Sequence, residues 1–485
     1  MANNTKSTLI SGVFYTALAK YSSVLVSLVV SGILARLLPP QDFGVMAIAM
    51  VIIAFFSIFS DMGIAPAIVQ NKELDNQDYH QIFSFTFWLG LSLAVLFFIF
   101  SPLIASFYKS TELTNICRLL AINLFFASIN IVPNGLLFKE KRFKFLGMRT
   151  LVIQLLSGAI GVTAAFMGAG VYALIINPIF SAIALFVINY YQNPLRFHFK
   201  FKLASILKIY NYSVYQFLFN IINYFSRNID KLLIGKYMGM TPLGYYDKSY
   251  RLMMLPLDNI TNVVSPVMHP VFSDLQNDLR ALAQSYLKVL RVFAFLGFPL
   301  SVYLFFDAKE LILIIFGDRW MPSVPIFEIL ALSVGFQVIL SSSGAIFQAS
   351  NSTIGLFISG VLSTILNILA IVCGIFVFKS LEAVAIGITI TFMINFFQCY
   401  IILFRFTLKE RFFTFLSILV SPLLLTLLLG IVLSGVYFIT KDLPLIVSLI
   451  IKTTTTLIVS GCYIQITGVY NIKELIHNVL KKYGK

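Results

Sequence analysis

Runs of about 20 or more mostly apolar residues recur along the whole chain. A run of that length is long enough to cross the hydrocarbon core of a bilayer as a helix. Hydrophobic residues make up 59% of the 485 residues, charged residues make up 11%, and the mean hydropathy is +0.91. These values exclude an ordinary soluble domain. The sequence predicts an all-α polytopic membrane protein with about fourteen transmembrane helices.

The predicted spans fall into two sets of six and one final pair. They lie near 13–37, 43–67, 80–105, 114–138, 146–167, 169–191, 213–237, 243–270, 289–316, 323–348, 353–378, 381–405, 412–438 and 443–467. We therefore expect an N-terminal lobe over 1–200, a C-terminal lobe over 201–408, and two additional spans with a cytoplasmic tail over 409–485.

Lys and Arg residues concentrate in alternate connections, which indicates the orientation because cytoplasmic loops hold the excess of positive charge. The basic connections lie at 139–144, 196–208 and 405–411, and the C-terminal tail is also basic. We expect a multi-pass protein of the cell (inner or plasma) membrane, with both termini in the cytoplasm. The net charge of +15 is dispersed through these short segments, so it indicates membrane topology and not nucleic-acid binding.

The four cysteines do not indicate a disulfide framework or a metal site. Cys117, Cys373, Cys399 and Cys462 all fall inside predicted spans and show no CxxC or Cys/His spacing. We interpret them as packing residues, and no cofactor or metal is expected.

Polar and charged side chains interrupt the apolar pattern between residues 213 and 272. An ionised side chain at the centre of a membrane helix costs about 2.5 to 3.5 kcal/mol, so it normally faces a protein interior or a water-filled cavity. Here these residues recur at helical steps of three and four, which places them on shared faces. They are Asn220, Asn223, Arg227, Asp230, Lys231, Asp247, Lys248, Arg251, Asp258, Asn262, Ser265 and His269.

This segment has two open interpretations. Asp230 lies three residues after Arg227 and beside Lys231, which is typical of an ion pair that allows the helix to insert. The basic residues outnumber Asp230 and Asp247, however, and arginine grips phosphate oxygens in a bidentate manner. The surplus positive charge therefore favours an anionic ligand.

An internal repeat appears when the chain is shifted by about 200 positions. Gly44 then meets Gly244, and Arg36 meets Lys236. A shift of about 210 pairs the region around Leu120 with that around Leu330. Six spans per copy give both copies the same orientation, as in parallel-repeat transporters, with a central cavity between them.

Other spans carry polar stripes that either face this cavity or mediate helix packing. Span 1 carries Lys20, which either snorkels to the interface or faces the cavity. Span 10 carries Gln337 in a similar stripe. Arg149 lies near the end of its span, where snorkelling is the preferred interpretation.

Four segments resemble the polysaccharide transporter family, the Wzx-type flippases of lipid-linked oligosaccharides in the multidrug/oligosaccharidyl-lipid/polysaccharide exporter superfamily. The segments are ILARLLPPQDFGVMAIAMVI, SDMGIAPAIVQ, NYFSRNIDKLLIGKYMGMTPLGYYDKSYRLMMLP and VVSPVMHPVFSDL. They are similar to the branch that exports colanic-acid and teichuronic-acid type polymers.

The resemblance implies transport and not enzymatic catalysis. It implies that an undecaprenyl-diphosphate-linked sugar repeat moves to the outer leaflet by alternating access, for O-antigen, capsule or exopolysaccharide synthesis. Family position implies cationic substrate contacts at Lys20, Arg227, Lys231 and Arg251. The polar stripes make Asn220, Asn223, Asn262 and Gln337 candidate polar residues of the cavity. Glycosyltransferase and polymerase partners are also implied by the resemblance alone.

Asp61, Asp230 and Asp258 are candidates for binding a coupling proton or sodium ion, and structural pairing is the alternative for each. The rival function is a multidrug/cation antiporter of the same superfamily, which we would expect to present carboxylates to its substrate. A membrane glycosyltransferase is disfavoured because the sequence shows no large loop and no clustered acidic pair.

Overall fold

The structure is a computed structural model that describes residues 2–199, 217, 221, 224–225, 227–275 and 278–468. Within these ranges the chain forms helices joined by short connections and contains no β-strand, which confirms the predicted all-α membrane class. The helices of the first half are α1 (Ala2–Leu37), α2 (Pro40–Asp61), α3 (Ile64–Gln70), α4 (Asn76–Tyr108), α5 (Glu112–Ile129), α6 (Ile131–Lys139), α7 (Phe143–Phe166), α8 (Tyr172–Gln192) and α9 (227–237).

The second half begins with the long helix α10. Its helices are α10 (Met240–Asp274), α11 (Leu279–Phe306), α12 (Ala308–Phe316), α13 (Ser323–Ala331), α14 (Val334–Leu340), α15 (Ser343–Ala349), α16 (Thr353–Val372), α17 (Leu381–Ile401), α18 (Phe412–Thr440) and α19 (Leu445–Thr467). Two π-helical turns, Cys373–Phe378 and Ile402–Thr407, extend α16 and α17.

Eleven helical segments of the described chain are long and apolar enough to cross a membrane, and a bent pair formed by α13 with α14 and α15 raises the number to 12. The protein is therefore a multi-pass membrane protein. The predicted span at 213–237 falls partly outside the described residues, mainly in its first half. Helix α10 is long enough to cross, but its charged and amide side chains make it less apolar than the others. The count of about fourteen stays a prediction.

Helix boundaries repeat along the chain. Asp75 caps α4 by accepting a hydrogen bond from the backbone N–H of Asp78, and Asp278 caps α11 in the same way, accepting from Arg280 and Ala281. An aspartate at this position satisfies backbone donors that the first turn of a helix leaves unpaired. The two helices thus begin with the same chemistry one repeat apart.

Interruptions of the helices also repeat. Asn130 separates α5 from α6, and Ser341 and Ser342 separate α14 from α15 at the corresponding place. After α6 and after α15 the backbone becomes left-handed, at Lys141 (φ 59°) and at Asn351 (φ 54°). These shared breaks show that the duplicated pattern in the sequence corresponds to a duplicated helix arrangement.

The described chain divides into two compact units, residues 1–247 and residues 248–485. In the first, Ile68, Ile82 and Val132 belong to a buried cluster that joins α3, α4 and α6. In the second, the rings of Tyr400 and Phe415 stack with centroids 4.2 Å apart. The predicted lobes over 1–200 and 201–408 and the final segment over 409–485 were defined by the repeat and not by packing, and they stay a prediction.

Within the first unit, the starts of α2 and α10 cross at two glycines that the repeat had paired. A Cβ atom at Gly44 would overlap the backbone carbonyl of Met240, and one at Gly244 would overlap the carbonyl of Pro40. The contact is reciprocal because each glycine meets the first residue of the other helix. Only glycine permits such a close approach of two backbones.

We predict that Gly44→Ala and Gly244→Ala each destabilise the protein, by about 1 to 3 kcal/mol, because the added methyl group forces two helix ends apart. The measurement is the apparent melting temperature of purified protein in detergent. Gly430→Ala in α18 is the control, because a Cβ atom there meets no other atom within 4 Å. Equal melting temperatures for all three variants would contradict the close crossing.

Candidate substrate site

The polar segment singled out in the sequence forms a helical hairpin at the end of the first unit. Helix α9 ends at a tight turn in which Gly239 adopts φ 102°, and α10 starts at Met240. The backbone N–H groups of Met238 and Gly239 both donate to the carbonyl of Ile234. The hairpin brings the polar residues of α9 next to those of the first two turns of α10.

A buried network of four polar side chains joins the two helices of this hairpin. The Tyr246 hydroxyl donates to Asp230 Oδ2 at 2.6 Å. The Lys231 ammonium lies 2.9 Å from Asp247 Oδ1. Asp230 and Asp247 are only 5% and 3% exposed. Each carboxylate therefore faces a donor on the opposite helix, which reduces the cost of burying its charge.

The two lysines of this hairpin, Lys231 and Lys248, both have partners inside the protein. Lys231 contacts Asp247, so its positive charge is compensated inside the protein. Lys248 is buried, with its ammonium 5.1 Å from the centre of the Phe316 ring and 5.9 Å from that of Trp320. Both lysines therefore hold helices in place.

Three other assigned cations have accessible side chains. Lys20, Arg227 and Arg251 are all exposed. Arg227 forms no hydrogen bond or ion pair with any described part of the chain, although it lies one helical turn before Lys231. An arginine placed in this way keeps its five donors for a ligand or for lipid headgroups.

The amide residues have different outcomes. Asn220 and Asn223 lie outside the described residues. Asn262 belongs to α10, but its side chain also lies outside the described part. Gln337 is buried and donates to Ser333 Oγ at 2.8 Å and to Met253 Sδ at 3.4 Å. Gln337 therefore joins α14 to α10, which matches the packing interpretation of its stripe.

The acidic candidates also differ. Asp61 is the last residue of α2, next to the left-handed residues Met62 and Gly63, and its carboxylate faces the backbone N–H of Ala65 in the first turn of α3. A carboxylate at this position stabilises a helix start. Asp258 is exposed on α10, and Asp230 is buried against Tyr246. The role of these three residues in ion coupling stays a prediction.

Arg149 differs from its sequence interpretation. It is 9% exposed, and its Nη2 donates to Asn134 Oδ1 at 2.8 Å. Snorkelling would have left the guanidinium exposed, whereas here it is held between α6 and α7. The sequence signal was an arginine within an apolar run, and only the fold showed that this face of α7 is covered.

No group of three or more His, Cys, Asp or Glu side chains within the described ranges has the geometry to hold a metal ion. The four cysteines are all free thiols.

Comparison with known proteins identifies the family. Residues 33–325 match the family described as polysaccharide biosynthesis proteins. The chain belongs to this family.

Named relatives extend the similarity beyond the matched range. WzxC, a lipopolysaccharide biosynthesis protein of Escherichia coli K-12, is 26% identical over 448 residues and the match covers 88% of each chain. TuaB, a teichuronic acid biosynthesis protein of Bacillus subtilis, is 25% identical over 343 residues, covering 70% of this chain and 71% of TuaB. These matches confirm a Wzx-type polysaccharide transporter, and the chain is grouped with transporters and not with enzymes.

Solved structures support the fold. The lipid II flippase MurJ in an inward closed conformation superposes with a TM-score of 0.73 at 16% identity, covering 93% of this chain and 98% of MurJ. An inward-facing multidrug transporter of the MATE family gives a TM-score of 0.60 at 17% identity, over 79% of this chain and 96% of the transporter. The polysaccharide transporter therefore has the fold that MurJ and the MATE transporter share.

We predict that Lys231→Ala destabilises the transporter by about 3 to 5 kcal/mol, because the buried Asp247 carboxylate loses its cation. Arg227→Ala is the matched control, since it removes a cation one turn away whose side chain is exposed. Thermal unfolding of both purified variants in detergent tests the difference. An unchanged melting temperature for Lys231→Ala would show that the 2.9 Å pair contributes nothing to stability.

Proposed function

We propose that this transporter flips an undecaprenyl-diphosphate-linked oligosaccharide from the cytoplasmic to the outer leaflet by alternating access. The observation that carries the proposal is the similarity, over 88% of each chain, to a protein named for lipopolysaccharide biosynthesis. The similarity in fold to a lipid II flippase supports it, because that protein also moves a glycan attached to a lipid.

The chemistry of this substrate explains the positive charges. A diphosphate carries negative charge through the membrane region, where water offers little compensation. Guanidinium groups bind phosphate oxygens through two parallel N–H donors. The exposed Arg227 is placed to supply such donors, and Lys20 and Arg251 are further candidates with accessible side chains.

Lys231 has a different role in the proposal. Its ammonium is paired with Asp247, and Asp247 lies on α10 next to Tyr246, which holds Asp230. The pair fixes the angle between α9 and α10 and so positions Arg227. We propose Lys231 as a positioning residue and Arg227 as a substrate contact.

The rival function is a drug/cation antiporter, which the similarity in fold to MATE transporters keeps in consideration. A cationic drug requires accessible carboxylates, and Asp258 is exposed on α10. Asp230 and Asp247 are engaged with Tyr246 and Lys231, so they are not accessible to a drug.

We also propose that both termini are cytoplasmic and that the protein resides in the inner or plasma membrane. A glycosyltransferase that completes the lipid-linked unit must precede the transporter, and a polymerase in the outer leaflet must follow it. These partners follow from the chemistry of the proposed substrate.

The test is transport of a labelled undecaprenyl-diphosphate oligosaccharide in proteoliposomes. We expect Arg227→Ala to lower the initial rate by about tenfold or more, which corresponds to the loss of about 1.4 kcal/mol of interaction with the diphosphate. Arg227→Lys should retain an intermediate rate because it keeps the charge and loses the planar fork.

Arg319→Ala is the control for general loss of positive charge, because Arg319 is an exposed arginine beyond the end of α12. It should transport at the wild-type rate. Wild-type rates for Arg227→Ala would remove Arg227 from the substrate site. Efflux of cationic drugs by a wild-type protein that does not move the glycolipid would favour the antiporter.

A further inference from the structure

Three charged side chains meet inside the second unit. Asp307 lies between α11 and α12, Glu310 lies in the first turn of α12, and Lys452 lies in α19. Asp307 and Lys452 are completely buried, and Glu310 is 6% exposed. Such burial requires that the charges compensate each other.

Glu310 receives most of the available donors. Lys452 Nζ donates to Glu310 Oε1 at 2.6 Å, and the Ser448 hydroxyl donates to the same oxygen at 2.7 Å. Lys452 also donates to the backbone carbonyl of Phe306 at 2.8 Å. These two short hydrogen bonds, one of them from an ammonium, compensate the negative charge of the Glu310 carboxylate.

Asp307 has no comparable partner. Its Oδ1 lies 3.8 Å from Lys452 Nζ, which is too far for a hydrogen bond. Neither Asp307 oxygen accepts a hydrogen bond, and neither is accessible to solvent. Ionised Asp307 would therefore be a buried carboxylate without a donor, beside a second carboxylate that already uses the lysine.

The net charge of the three side chains then decides whether Asp307 is protonated. Two ionised carboxylates and one ammonium would leave one net negative charge inside the protein. Buried groups avoid such a charge by changing protonation state. A metal cation needs several oxygen ligands and space around them, whereas the Asp307 oxygens are enclosed. A proton needs no such space.

We propose that Asp307, Glu310 and Lys452 form a proton-binding site that holds one proton on Asp307. The site does not depend on which substrate the transporter moves. It joins α19 to α11 and α12, so release of the proton would set two carboxylates in competition for one ammonium. Proton binding is thereby linked to the packing of the last transmembrane helix.

Among the residues that the structure describes, the other titratable groups facing the site supply no second positive charge. Tyr303 on α11 shares a hydrogen bond with Thr453 on α19, with 2.9 Å between their hydroxyl oxygens. Tyr437 on α18 places its ring 5.5 Å from Lys452 Nζ. Glu328 on α13 is half-buried and carries a carboxyl group, so it adds no positive charge.

The direct test is infrared spectroscopy of the purified full-length protein in lipid nanodiscs, which detects the C=O stretch of a protonated carboxyl group. We expect Asp307→Asn to lose one such band relative to wild type at neutral pH. Glu310→Gln should lose the same band, because Lys452 is then free to pair with an ionised Asp307.

Lys452→Met tests the charge count in the opposite direction. Without the ammonium, both carboxyl groups should take a proton, so the band intensity from this site should double. Glu328→Gln is the matched control, because it removes a nearby carboxyl that donates and accepts nothing within the three-residue site, and the band should remain. An Asp307→Asn spectrum identical to that of wild type would overturn the proposal, and so would an unchanged band in Lys452→Met.

A second measurement does not depend on band assignment. A proton that the folded protein keeps and an unfolded aspartate releases makes stability fall as pH rises. Burial raises the pKa of the Asp307 carboxyl to about 7. We therefore expect the apparent melting temperature of wild type to fall between about pH 4 and about pH 7, and Asp307→Asn to lose that part of the slope. Parallel pH profiles for wild type and Asp307→Asn would contradict a proton on Asp307.

Discussion

Charge compensation inside apolar helices is the constraint on which the rest of this structure depends. A charged group held away from water must find an opposite charge, a hydrogen-bond donor or acceptor, or a proton. In the first unit, Lys231 meets Asp247, and Tyr246 donates to Asp230. In the second, Lys452 meets Glu310. In each case the two partners lie on different helices, so the charges also fix helix positions.

The same constraint separates structural charges from functional ones. Lys231 and Arg227 lie one turn apart on α9, and the sequence gives no reason to treat them differently. Because Lys231 has a buried partner and Arg227 is exposed, the first stabilises the hairpin and the second is accessible to a ligand. A mutation of Lys231 would therefore disturb transport indirectly. A mutation of Arg227 would act at the proposed substrate contact.

The repeat shows how a duplicated sequence produces one close helix crossing. Gly44 and Gly244 occupy equivalent positions, and each contacts the first residue of the helix that carries the other. The equivalent aspartate caps, Asp75 and Asp278, start long helices at the same place in each copy. Two copies of one helical pattern can therefore use the same cap chemistry and the same close glycine contact.

The sequence by itself determined the membrane class, the positions of most helices, the repeat and the family, because these depend on apolar run lengths and on residue spacing. It also pointed to the polar hairpin, since charges in apolar runs are conspicuous. It did not assign partners: the spacing around Asp230 gave no indication of the hydrogen bond from Tyr246, and Arg149 was expected to snorkel and is buried. Lys452 is an isolated charge within an apolar run of the sequence. Its carboxylates come from residues more than one hundred positions earlier, and only the tertiary structure brings those side chains within hydrogen-bonding distance.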